Sequence, residues 1–114
     1  VWHGGEPLLA NIEFYKKVIE IESRLSSKNK KIFNSIQTNA TLVNKDWINF
    51  LSKNNFSVGS SLDGPKNLHN LTRGSFKGTL NGIRMLNNSN ILSGIICCVS
   101  SKNVKFPKEI FRFL

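Results

Sequence analysis

The chain has 114 residues, 16 Lys+Arg against 7 Asp+Glu for a formal charge of +9, and 39% hydrophobic residues with 10% aromatics. This length allows one domain at most, and the apolar content with interspersed charges excludes a disordered basic tail. No run reaches 18 apolar residues, and Val1-Trp2-His3-Gly4-Gly5 has neither the basic nor the apolar region of a signal peptide, so a soluble, cytoplasmic chain with no membrane partner is expected.

The order of elements is strand then helix, four times over. Val1-Trp2 reads as the end of a first β-prone run. A helix follows over about Leu8 to Ser26, with Leu8, Ile12, Tyr15 and Ile19 on one apolar row and Phe14, Val18, Ile21 and Leu25 on another. The second run, Lys31 to Gln37, leads to a helix from Asn44, an N-cap, through Trp47, Phe50 and Leu51 to Asn54-Asn55. The third run, Phe56 to Leu62, precedes a loop and a helix carrying Phe76, Leu80, Ile83 and Leu86, which ends at Asn87-Asn88-Ser89-Asn90. The fourth run, Ile95 to Val99, precedes a helix opened by Pro107, with Glu109 near its positive end and Ile110, Phe111 and Leu114 after it.

Such alternation implies an α/β fold with a parallel sheet. Strand ends near Gly4, Gln37, Ser61 and Cys98 lie 24 to 37 residues apart. That is the length of one βα unit in a barrel of roughly 250 residues and eight units. The chain is therefore expected to be four consecutive βα units of a partial (β/α) barrel, truncated at both ends, because a free half-barrel leaves an unpaired strand edge.

Sites in parallel α/β folds lie at the carboxyl ends of the strands, so the loops there carry the candidates. In His3-Gly4-Gly5-Glu6-Pro7, two glycines allow close backbone approach and Glu6 adds a carboxylate, a combination suited to an ammonium. Gln37-Thr38-Asn39 offers donors and acceptors to a polar ligand, and equally serves as turn and cap. Ser61-Leu62-Asp63-Gly64-Pro65, with His69, Asn70 and Arg73 downstream, sets a hydroxyl, a carboxylate, an imidazole and a guanidinium close behind one strand. Arg73 suits a ligand carboxylate, which its fork holds in a bidentate pair; Asp63 is equally placed to fold the turn. Two histidines far apart in sequence point to no metal site and no nucleophile–base pair follows from spacing, so the catalytic residues stay unassigned. The adjacent Cys97 and Cys98 form neither a disulfide framework nor a zinc motif and, in an apolar run, are expected to be packing residues of a reducing compartment.

In this order the loops resemble the radical S-adenosylmethionine (SAM) superfamily, and within it the anaerobic sulfatase-maturating enzymes and related peptide maturases with a SPASM domain. The likeness is carried by Trp2-His3-Gly4-Gly5-Glu6-Pro7-Leu8-Leu9, Gln37-Thr38-Asn39 with Thr41-Leu42, and Val58-Gly59 with Ser61-Leu62-Asp63-Gly64-Pro65. His69 with Arg73, Gly78-Thr79 and the closing Phe106 to Leu114 add to it. The resemblance implies that residues 1–114 are part of a radical SAM core, a partial barrel whose strand ends hold SAM and a 4Fe–4S cluster. It implies that Gly4, Gly5 and Glu6 meet the methionine amino group, that Ser61 contacts the ribose, and that Arg73 pairs with the methionine carboxylate. His3, Gln37, Thr38, Asn39 and Asp63 would border the SAM or substrate pocket. The cluster-binding cysteine motif is expected upstream of Val1, and neither it nor the SPASM region lies in this stretch. The implied activity of the parent is cleavage of SAM to a 5′-deoxyadenosyl radical that oxidises a Cys or Ser of a sulfatase to formylglycine, with flavodoxin or ferredoxin as the electron donor. Maturation of another ribosomal peptide is the alternative within the class; a basic nucleic-acid-binding module and an inactive remnant are the alternatives outside it. The lysines are spread along helix faces, and no nucleic-acid partner is expected. Ala40 stands where the family often has Gly, and Asn70, which lacks the charge, where it often has Asp.

Overall fold

A computed structural model describes residues 1–26 and 30–114. Its helices and strands are α1 (Asn11–Leu25), β1 (Ser35–Thr38), α2 (Lys45–Lys53), β2 (Ser57–Ser61), α3 (Lys66–Thr72), α4 (Phe76–Asn88), β3 (Leu92–Ile96) and α5 (Pro107–Phe113). The strands form a parallel sheet in the order β1-β2-β3, with Ile36 beside Val58 and Ser61 beside Ile96. Trp2 extends it past β1 as a single parallel bridge to Ile36, its N–H donating to Ser35 O (2.8 Å) and its carbonyl accepting from Gln37 N (2.9 Å). The expected first strand is thus one residue pair long, and the α/β parallel architecture stands.

Several boundaries differ from the sequence reading: β1 opens at Ser35 rather than Lys31 and β3 at Leu92 rather than Ile95, and three further differences bear on the site. The first helix opens as a 3-10 turn, Pro7–Ala10, and the α-helix begins only at Asn11. Asn11 takes a left-handed φ of 60°, which its short polar side chain tolerates, and its Oδ1 caps the new start by accepting from Phe14 N (3.1 Å). The stretch after Pro65 is helical, as α3, although its apolar pattern is too short to show it. Burial of Leu68 and His69, at 2% and 0% exposure, holds that helix in place. Finally, β3 ends at Ile96, because its partner β2 ends at Ser61. Cys97 and Cys98 therefore sit in the following loop, half-buried and exposed, rather than packed within a strand.

The core lies between the sheet and α1, α2 and α4, formed by Leu8, Tyr15, Ile36, Trp47, Leu51, Phe56, Val58 and Leu86. Tyr15 is its hub, meeting Trp2, Trp47 and Phe56 edge-to-face at centroid separations of 5.5, 5.7 and 6.0 Å. Each such pair adds about 0.5–1.5 kcal/mol beyond area burial. Of the two apolar rows on α1, the one through Leu8 and Tyr15 faces this core, whereas Phe14, Ile21 and Leu25 stay exposed. The alternation of β1 sends Ile36 and Thr38 toward the helices and Gln37 to the opposite face, where β2 presents Gly59 and Ser61.

Candidate functional site

Three loops meet at the carboxyl ends of the strands, and two buried or half-buried carboxylates knit them together. The first is Glu6. Its Oε1 accepts from Leu8 N (3.0 Å) and Thr38 Oγ1 (2.7 Å), and its Oε2 from Asn39 N (2.8 Å). Glu6 thus caps the 3-10 turn and ties the glycine loop to the end of β1. Tyr15 supports the same turn by donating to Pro7 O (3.1 Å), and burial, with the nearby Glu6 charge, pushes its phenol above the ordinary 10.0. Upstream, Gly4 and Gly5 take φ of 87° and 54°, with open space where a side chain would stand. That conformation favours glycine and leaves the backbone accessible. His3 is exposed beside them.

The second loop splits its residues. Thr38 is 1% exposed on the helix side, and its hydroxyl is spent within the chain, donating to Glu6 and accepting from Ala40 N (3.0 Å). Thr38 shapes the loop from behind rather than lining a pocket. Asn39 is reachable: its Oδ1 accepts from Thr41 N (2.9 Å) and Thr41 Oγ1 (2.7 Å), and its carbonyl from Thr79 Oγ1 (3.0 Å). Ala40 follows with φ 62°, the left-handed region that explains a preference for glycine at this position. Gln37 lies across Gly59, where any Cβ would collide with its amide oxygen, and donates through Nε2 to Ser61 Oγ (3.2 Å). The Ser61 hydroxyl keeps its own proton to donate.

The second carboxylate is Asp63, 1% exposed. Its Oδ2 accepts from Thr72 Oγ1 (2.7 Å) and Arg73 Nε (2.8 Å), and its Oδ1 from Cys98 N (2.9 Å). Burial works to raise its pKa, but the bonds from Cys98, Thr72 and Arg73 outweigh it and hold the carboxyl below the ordinary 3.8. Asp63 is enclosed by the chain's own donors and has no open face of its own. Arg73 donates from Nη2 to Cys98 Sγ (3.0 Å), which leaves Nη1 without a partner among the described residues. With Asn39, Thr41, Gly74, Ser75 and Thr79 it lines an open cleft of about 310 Å³.

His69 lies beneath this cluster at 0% exposure. Its Nδ1 accepts from Asp63 N (3.2 Å), so the neutral ring carries its proton on Nε2, which finds no partner among the described residues. Burial first, and the Arg73 charge in addition, lower its pKa from 6.5 against the opposing pull of Asp63. Asn70 Oδ1 accepts from Phe76 N (3.1 Å) at the start of α4, a task that needs one oxygen and no charge. Thr72, Thr79 and the Cys98 amide were not legible as site residues, since only the folded chain sets them against Asp63 and Asn39. Among the described residues no group of three or more His, Cys, Asp or Glu side chains is placed to hold a metal ion.

The radical SAM superfamily profile matches residues 1–114. Over 118 aligned residues the chain is 37% identical to the cysteine-type anaerobic sulfatase-maturating enzyme of Clostridium perfringens, covering 98% of this chain and 32% of that protein. It is 33% identical to the serine-type enzyme of Bacteroides thetaiotaomicron, covering 98% of this chain and 28% of that protein. A solved structure of native anSMEcpe with bound AdoMet and Cp18Cys peptide superposes with a TM-score of 0.87 at 37% identity, covering 97% of this chain and 32% of that one. The chain spans about a third of the length of these relatives.

Proposed function

This chain belongs to the radical SAM superfamily, and on that premise we propose that it holds S-adenosylmethionine in an enzyme that oxidises a Cys or Ser of a sulfatase peptide to formylglycine. The observation that carries the reading is Arg73: a guanidinium at the strand ends, anchored on one side by Asp63, with Nη1 left over for a ligand carboxylate. The other groups complement the rest of an amino acid and a nucleoside. The Gly4 and Gly5 backbone is open to an ammonium, and the adjacent Glu6 supplies negative charge while its bonds keep the loop in place. The Ser61 hydroxyl, oriented by Gln37, suits a ribose hydroxyl, and Asn39 lines the cleft beside Arg73.

The residues present fit SAM and do not fit the cluster. Cys97 and Cys98 are the chain's two cysteines, and adjacent thiols on one loop cannot provide the separate thiolates a 4Fe–4S cluster takes. Its ligands would have to come from outside residues 1–114. When bound, SAM with that cluster supplies one-electron, hydrogen-abstracting chemistry to the substrate side chain, and an external donor of the flavodoxin or ferredoxin type delivers the electron. The work of this chain is binding and orientation: Glu6 fixes the glycine loop, Gln37 the hydroxyl, Asp63 the guanidinium.

The test is titration of the anaerobically reconstituted full-length parent, of which residues 1–114 are part, with SAM, followed by mass spectrometry of sulfatase peptides bearing Cys or Ser. Arg73→Ala should weaken SAM binding about tenfold or more, the loss of one charge-assisted pair. Unchanged affinity removes Arg73 from the site. SAM cleavage without formylglycine in either peptide would replace the sulfatase with another ribosomal peptide as substrate.

A further inference from the structure

Arg73 carries a long side chain, and a free one of that length loses much conformational freedom on gripping a ligand. Here the grip is prepared in advance. Asp63 sits two residues past β2, and the three donors it accepts from come from the last residue of α3, the residue that caps α3, and the loop after β3. Its own N–H is pinned to the buried ring of His69 at Nδ1, and Arg73 N donates to the His69 backbone carbonyl (2.9 Å), so both backbones are tied to one residue. The Nε and Nη2 side of the guanidinium is thereby spent on Asp63 and Cys98, and Nη1 is left without a partner among the described residues.

We propose that Asp63 is the positioning residue of the SAM carboxylate subsite: it never touches the ligand, but fixes the Arg73 fork so that Nη1 meets the carboxylate. The proposal rests on the reading of this site as one for SAM. Asparagine at position 63 cannot do the same work. Its amide offers one acceptor oxygen and one NH₂, and the NH₂ would face either the Cys98 N–H or the Thr72 and Arg73 donors.

The experiment compares two probes on the full-length parent containing residues 1–114, freed of its cluster so that no open iron chelates the probe: SAM and decarboxylated SAM, which lacks the carboxylate and shares the rest. The wild type should prefer SAM by about tenfold or more, and Arg73→Ala should abolish that preference. Asp63→Asn should abolish it too, losing about tenfold for SAM and about twofold or less for the decarboxylated probe. If the wild type has no preference, or Arg73→Ala keeps it, the SAM reading itself fails. If Arg73→Ala abolishes the preference while Asp63→Asn keeps it, Asp63 is not the positioning residue. Equal loss for both probes in Asp63→Asn would make Asp63 a purely structural group and overturn the proposal. Should that variant not fold, Arg73→Lys decides: lysine keeps the charge but has no fork for Asp63 to fix. It should lose the preference, and a lysine variant that keeps it refutes the need for a fixed fork.

Discussion

Gly82 is where the site depends most directly on packing. On the buried face of α4, between Thr79 and Leu86, it lets the helix rest on the backbone of Ala40; a Cβ there would collide with the Ala40 carbonyl oxygen and lie 2.9 Å from both its carbonyl carbon and its Cβ. Alanine is the better helix former by about 1 kcal/mol, which argues for stabilisation. Against that gain, overpacking a tight contact costs about 1–3 kcal/mol. Because the obstacle is backbone next to Asn39, which Thr79 and Glu6 hold, the helix must retreat, and the Thr79–Asn39 bond of 3.0 Å is lost with about 1 kcal/mol more. The net expectation for Gly82→Ala is destabilisation of about 1–3 kcal/mol, read as a lower urea midpoint at unchanged slope. A variant as stable as the wild type would show that α4 and the Asn39 loop do not touch as described.

Gly59→Ala makes the informative contrast, since its Cβ collides with the movable end of Gln37 rather than with backbone. It should cost under about 1 kcal/mol in urea denaturation yet weaken SAM binding several-fold by displacing Gln37 from Ser61. Glu6→Ala removes an acceptor from three donors, Thr38 Oγ1 among them in the core, and should destabilise by about 3 kcal/mol in the same assay. The folded-state pKa of His69 lies below 6.5, so the unfolded chain binds the extra proton first as pH falls. Its contribution is complete above 6.5 and declines below it; urea midpoints at pH 7.5 and 5.5 should converge in His69→Gln relative to the wild type. For Asp63 the folded value lies below 3.8, so its contribution is present above 3.8 and is lost as pH falls through the lowered value, a step that Asp63→Asn should remove from the acid-unfolding curve.

Much of the candidate site's layout was legible because its residues lie at or near strand ends. Gly4 and Gly5 occupy a loop, Gln37 and Ser61 the ends of β1 and β2, and Arg73 the cap of α3, positions that the alternation of β-prone and helical runs places toward one end of a parallel sheet. The roles of the carboxylates were not legible in the same way. In sequence Glu6 reads as a ligand group and Asp63 either as a pocket residue or as a turn former, whereas each accepts three hydrogen bonds from within the chain. Sequence spacing cannot show saturation of a carboxylate, because the donors come from residues up to 35 positions away.

The same distinction separates the elements. Local periodicity sufficed for α1, α2 and α4, whose apolar rows repeat over several turns, and for the parallel α/β architecture they imply. It could not reveal α3, where burial of Leu68 and His69 decides, nor the end of β3, which the length of β2 imposes through pairing. Amino-acid order alone therefore determined the fold class and the family, since both are written in residue types at short range. Which groups remain free for a ligand was decided only in the tertiary structure, because a donor or acceptor is available only after every internal partner has been counted.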